Sequence, residues 1–239
     1  MLDGKDGVSP QDGEAETIRL KFSANLDPLT VQSDSFTVEG FTVESIRATD
    51  KGGRIPGETL YRDGERNYIT IKVIPRPGTD FEPRVTQKSG ATIKDINNVS
   101  YDGIRVQATD LAAPVITNAE FIDNGTVGVV DIGDKIKITL SEQVSGNVAD
   151  LYNDFTLDNS SEAFSFTNND EFSIDHNVVT VTIQDPTTIA KIWANTSIII
   201  TSNASYVSLT DASGNKAKPG KQLDSTPLTI EIEDVPEVN

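Results

Sequence analysis

The chain has no cysteine and a single histidine among its 239 residues, and both shortages narrow the chemistry open to it. Without a thiol there is neither a disulfide framework nor a thiolate nucleophile, although the lack does not decide the compartment. Without a His or Cys cluster there is no zinc site of the usual kind. A Ser-His-Asp triad would have to use His176. In Ile174-Asp175-His176-Asn177 that residue reads instead as a turn between two strands. Aromatics make up 6%, with one Trp and five Tyr, so a stacking platform for a glycan is not evident. No Gly-rich phosphate loop precedes a helix. No apolar run reaches membrane-spanning length, and Ile198-Ile199-Ile200 is only a strand core, so membrane insertion is not expected.

Positive charge is scarce as well. The formal net charge is −17: residues 1–112 carry 14 basic and 18 acidic groups, residues 113–239 carry 6 and 19. Such a surface repels phosphate backbones, which makes nucleic acid an improbable partner and cations the natural one. Acidic residues are too numerous for counting to single out a glycosidase pair.

What the chain does contain is a repeat. Asp131-Ile132-Gly133-Asp134 feeds into Lys135-Ile136-Lys137-Ile138-Thr139-Leu140-Ser141, where apolar residues alternate with polar ones as in a half-buried strand. Asp12-Gly13-Glu14 leads in the same way to Ile18-Arg19-Leu20-Lys21-Phe22-Ser23, and Ser23 and Ser141 are 118 residues apart. Ser35-Phe36-Thr37-Val38 answers Asp154-Phe155-Thr156-Leu157, and Asn67 to Val73 answers Asn177 to Ile183 at an offset of 110. Thr92-Ile93-Lys94-Asp95 corresponds to Ser208-Leu209-Thr210-Asp211, and Asp110 with Pro114 to Asp224 with Pro227. The repeat predicts two domains of one fold, residues 1–112 and 113–239.

Short alternating segments separated by Gly, Pro and Asn turns predict strands near 17–23, 36–38, 41–43, 67–73, 84–94 and 104–109. In the second copy they fall near 115–122, 135–141, 154–157, 163–167, 177–183, 196–202 and 225–233. Asp185-Pro186 opens a stretch with Ile189, Ile192 and Trp193 at helical spacing, predicting a turn or two of helix. The fold expected is all-β, two tandem β-sandwiches.

The run Phe22 to Val31, the Ser35–Val38 segment, Asn67 to Val73 and Asp211-Ala212-Ser213-Gly214-Asn215 together resemble bacterial immunoglobulin-like repeats of cell-surface proteins. They are also similar to the tandem domains of surface-layer (S-layer) proteins, where an Asp- and Gly-rich loop precedes a strand ending in Ser-Glu, as Ser141-Glu142 does here. The resemblance implies two tandem immunoglobulin-like β-sandwich domains. The first copy departs from it: Ala24 stands where the second has Glu142, and Asp95-Ile96-Asn97-Asn98 lacks the glycine.

Calcium matches the oxygen-rich loops better than the catalytic readings do, since hard cations take six to eight oxygen ligands. The candidate ligands are Asp3, Asp6, Asp12, Glu14 and Asp110 in the first copy, and Asp123, Asp131, Asp134 and Asp224 in the second. The spacing is not that of an EF-hand. A competing reading is that these aspartates make local turns through side-chain to backbone bonds. In a sandwich, residues 123–134 are expected to approach Asp224, and residues 3–14 to approach Asp110. By analogy with cadherin-like chains, calcium would then stiffen the joints.

Two functions are weighed. One is a non-catalytic structural or assembly module whose partners are neighbouring domains of a longer chain and identical subunits of a surface array; the other is an adhesin or carbohydrate- or protein-binding module. Met1-Leu2-Asp3-Gly4 has neither a basic start nor an apolar segment, which suggests a fragment of a longer exported, cell-surface chain. Sequons at Asn98, Asn124, Asn159, Asn195 and Asn203 would matter only in a host that glycosylates them.

Overall fold

A computed structural model of the protein describes residues 2–3, 14–50, 66–158, 163–192, 196–200, 207–218 and 228–230. The fold is all-β, with one four-residue helix among the described residues. The chain divides into two compact units, the first ending at Ala112 and the second continuing from Ala113.

The first unit contains β1 (Leu2–Asp3), β2 (Glu14–Lys21), β3 (Phe36–Val38), β4 (Val43–Thr49), β5 (Tyr68–Pro77), β6 (Arg84–Gln87), β7 (Ile93–Lys94), β8 (Ser100–Tyr101) and β9 (Arg105–Gln107). One sheet has the order β1-β2-β5-β4, a second β3-β6-β9, and β7 pairs with β8. Alternation decides which side chains go inside. Ile18 and Leu20 of β2, Ile46 and Ala48 of β4, Ile69, Ile71 and Val73 of β5, and Phe36, Val38 and Val85 of the second sheet form one buried cluster. The two sheets therefore share a core. Each large side chain so buried contributes about 1.5–3 kcal/mol relative to exposure. Pro75 and Pro77 lie at the exposed end of β5, where pairing with β4 has stopped and the register with β2 shifts between Ala15 and Thr17. Missing prolyl N–H groups are tolerated at such a ladder end.

The second unit contains β10 (Ile116–Ile122), β11 (Lys135–Leu140), β12 (Phe155–Asp158), β13 (Ala163–Ser165), β14 (Glu171–Asp175), β15 (Val178–Thr182), α1 (Pro186–Ile189), β16 (Thr196–Ile200) and β17 (Leu228–Ile230). Its sheets run β10-β11-β15-β14 and β13-β12-β16-β17. Ile136, Ile138 and Leu140 of β11, Val179 and Val181 of β15, and Phe155, Leu157 and Ile198 of the other sheet meet in its core. Asp185 caps α1, its side chain accepting from the Thr187 N–H, with Pro186 at the first helical position. β14 was not expected from the sequence.

The repeat is visible bond by bond. Phe22 N–H donates to Asn67 O (2.7 Å) in the first unit, and Leu140 N–H to Asn177 O (2.8 Å) in the second. Leu26 N–H donates to Arg66 O (3.0 Å), and Val144 N–H to His176 O (3.0 Å). Both pairs keep the sequence offsets of 118 and 110. Asp27 N–H donates to Lys94 O (2.9 Å), as Ser145 N–H does to Thr210 O (2.8 Å). Each unit then makes a short 3-10 turn, Pro28–Thr30 capped by Asp27 and Val148–Asn153 capped by Asn147.

Candidate functional site

The acidic turns shared by both copies are built alike. In the second unit Asp211 Oδ1 accepts from Asn215 N–H (2.7 Å), Asp211 Oδ2 accepts from the Asn215 amide (2.7 Å), and Gly214 sits at φ 86°. In the first, Asp95 Oδ1 accepts from the N–H groups of Asn97 and Val99 (both 2.8 Å), with Asn98 at φ 67°. Asn is among the few residues with a side chain that adopt the left-handed region readily, so the missing glycine leaves the turn intact. Asp95 and Asp211 are both buried.

The loop at 123–134 is a net of side-chain to backbone bonds. Asp123 accepts from Gly125 N–H (3.2 Å) and Gly128 N–H (2.6 Å), and Asp131 Oδ2 from Thr126 N–H (2.9 Å). Asp134, fully buried, accepts from the N–H groups of Asn124 and Asp131 (both 2.8 Å). Asp131 Oδ1 is buried without a hydrogen-bond partner and lies against Gly125, where a Cβ would collide with the carboxylate. These aspartates thus act as turn builders, the competing reading of their sequence pattern.

Among the described residues of the second unit, Glu142 and Asp211, both buried, have carboxylate oxygens within 4.8 Å of each other, the spacing of a metal site. Asp110 lies in the connecting segment, where its Oδ1 accepts from Ala112 N–H (2.9 Å). Glu142 follows β11, and Asp211 opens the turn described above. Carboxylates this close repel one another, at about 4 kcal/mol per pair near 4 Å with an effective dielectric of 20. A hard cation relieves that repulsion. Of the ligands expected from sequence, Asp110 lies at the end of the first unit, and Asp123, Asp131 and Asp134 belong to their own loop. Glu14 stands in β2, and Asp3 lies in β1. Asp6, Asp12 and Asp224, and with them the expected approach of 123–134 to Asp224, lie outside the described residues. Glu142 and Asp211 were missing from the expected ligands although both stand in the motifs that carry the resemblance.

Other buried acids of the second unit are fully engaged. Asp170 accepts from the N–H groups of Gln184 (2.9 Å), Asp185 (3.0 Å) and Thr167 (3.1 Å) and from the Thr188 hydroxyl (2.7 Å). The Thr187 hydroxyl and N–H, the Asn169 amide and the Thr167 hydroxyl hold the Asp185 carboxyl well below the usual carboxylate range. Asp154 is enclosed, and burial pushes its carboxyl up, against the lowering by the N–H groups of Ser208 and Leu209 and the Ser208 hydroxyl. His176 sits at φ 56° in the exposed turn between β14 and β15, its Nδ1 2.6 Å from Asp175 Oδ1.

No protein-family model matches the chain, and no curated protein matches it. No helix among the described residues is long and apolar enough to cross a membrane.

Proposed function

We propose that the protein is a non-catalytic structural or assembly module of a bacterial surface (S-layer-like) protein, made of two tandem immunoglobulin-like β-sandwich domains. The single observation that carries this reading is the repetition of one hydrogen-bonded frame in both units, its donors at one sequence offset of 118. A frame copied at that level of detail suits a building block used in series. Its partners are then neighbouring domains of a longer chain and identical subunits in an extracellular array.

Calcium has a place in this proposal. Glu142 and Asp211 of the second unit supply oxygen donors for an ion in this proposal. The rest of the acidity keeps such a surface protein soluble. The test is equilibrium calcium titration of the whole chain and of Glu142→Gln, together with light scattering with calcium and with chelator. Saturable binding that Glu142→Gln removes, accompanied by calcium-dependent assembly, is the expected result. No saturable binding contradicts the ion. Turnover of a polysaccharide or peptide that one carboxylate substitution abolishes contradicts the non-catalytic reading.

A further inference from the structure

Asn124 is followed by Gly125, and no other asparagine in the chain precedes a glycine. The fold keeps the glycine there, because a Cβ at Gly125 would collide with the Asp131 carboxylate. That requirement has a chemical side. A backbone nitrogen that follows a side-chain amide can close a five-membered ring on it, and glycine puts no side chain in the way.

The surroundings of the pair leave such a ring closure accessible. Asn124 and Gly125 are both exposed, in the loop between β10 and β11. The Gly125 N–H donates to Asp123 Oδ1 (3.2 Å), so a carboxylate stands where the departing proton goes. The Asn124 amide is held by a long bond, its Nδ2 donating to Gly133 O at 3.4 Å. Elsewhere the nitrogen is shielded. Asn98 is exposed and the Val99 N–H donates to Asp95 Oδ1 (2.8 Å), but the branched side chain of Val99 crowds that nitrogen. Asn147, also exposed, precedes Val148.

We infer that Asn124 is a site of spontaneous modification, losing its side-chain amide through a cyclic imide with Gly125, and that the conversion loosens the 123–134 loop. Gly125 N forms a bond to Asn124 Cγ, the Cγ–Nδ2 bond breaks, and the nitrogen leaves as ammonia with the proton that Gly125 gives up. Water, the only co-reactant, then opens the imide at one carbonyl or the other, giving aspartate or isoaspartate. Either product adds a negative charge among Asp123, Asp131 and Asp134 and removes the donor to Gly133 O. Isoaspartate also lengthens the backbone by one carbon. That displaces Gly125 and Thr126 from the carboxylates of Asp123 and Asp131, which now accept from their N–H groups.

The experiment is incubation of the full chain in mildly alkaline buffer, followed by peptide mapping with mass spectrometry, beside a synthetic peptide of residues 120–129 that sets the pace of the unrestrained reaction. Asn124 is expected to be the first asparagine to gain the mass of an amide turned carboxylate, as a mixture of aspartate and isoaspartate, while Asn98 and Asn147 keep their amides. In the converted protein the N–H groups of Thr126 and Gly128, held in the fresh protein by Asp131 and Asp123, should exchange with solvent at least about tenfold faster, the worth of one such bond. An intact Asn124 once the peptide has converted fully, or conversion of Asn98 or Asn147 at the same rate, overturns the site. Unchanged exchange at Thr126 and Gly128 overturns the loosening.

Discussion

The two units share a frame and differ in where they bury acid. In the first, the position that begins β3 is Ser35, the residue after Ser23 is Ala24, and β5 runs on to Pro77. In the second, the corresponding places hold Asp154, Glu142 and the Asp185-Pro186 cap of α1. The cores are interchangeable in kind, Ile and Val on alternate positions of paired strands. What distinguishes the units is a set of buried carboxylates, each of which must be satisfied by donors or by an ion.

If the frame is common, matched core truncations must cost alike. Phe36 and Phe155 occupy the same position and are 1% and 0% exposed. Phe36→Ala and Phe155→Ala should each destabilise their own unit by about 3–5 kcal/mol, read by denaturant unfolding. A large cost in one unit and a small one in the other would break the equivalence.

Exchanging the acid should sharpen it. Asp154→Ser gives the second unit the residue of the first and leaves the N–H groups of Ser208 and Leu209 without their acceptor. The expected loss is about 1–3 kcal/mol at pH 7, measured by thermal unfolding. The sign with pH follows from the raised carboxyl. Its own contribution to stability is full below the unfolded carboxylate range and is lost as pH rises through the folded value, so the deficit of the variant should be larger in acid.

The turns offer a smaller contrast. Gly214→Ala places a Cβ at φ 86° with nothing within 4 Å, so its cost is conformational only, about 1–2 kcal/mol. Asn98→Gly at the matching place should change stability by less than about 1 kcal/mol. Chemical denaturation of both variants checks the pair.

Acid gives the weakest expected signal. Asp185 is held below the usual carboxylate range, so the stability it adds is present above the unfolded value and lost as pH falls through the folded one. Asp185→Asn should therefore reduce the acid sensitivity of the second unit, followed by its melting temperature between pH 2 and pH 6.

Much of this was legible in the sequence because it is local or periodic. Alternation at Ile136-Lys137-Ile138 set β11, the Asp-Pro pair set the start of α1, and His176 was read as a turn. β14 escaped because Glu171-Phe172-Ser173-Ile174-Asp175 pairs only along β15 and leaves its residues half-buried or exposed, so its apolar signal is thin. The buried roles of Asp154 and Asp170 depend on donors 54 and 18 residues away, which no local pattern reports. The same holds for the candidate ion site. Glu142 and Asp211 were each conspicuous, yet only folding brings them together, while the denser run 123–134 is bonded to its own backbone.

The most direct test of the proposed difference between the units is calorimetry of the whole chain with calcium and with chelator, repeated on Glu142→Gln. The account predicts that a hundredfold excess of calcium over its dissociation constant stabilises the second unit by about 2.7 kcal/mol, on the order of 10 °C. Glu142→Gln should remove that shift. Identical melting curves with calcium and with chelator, or a shift that survives in Glu142→Gln, would contradict it.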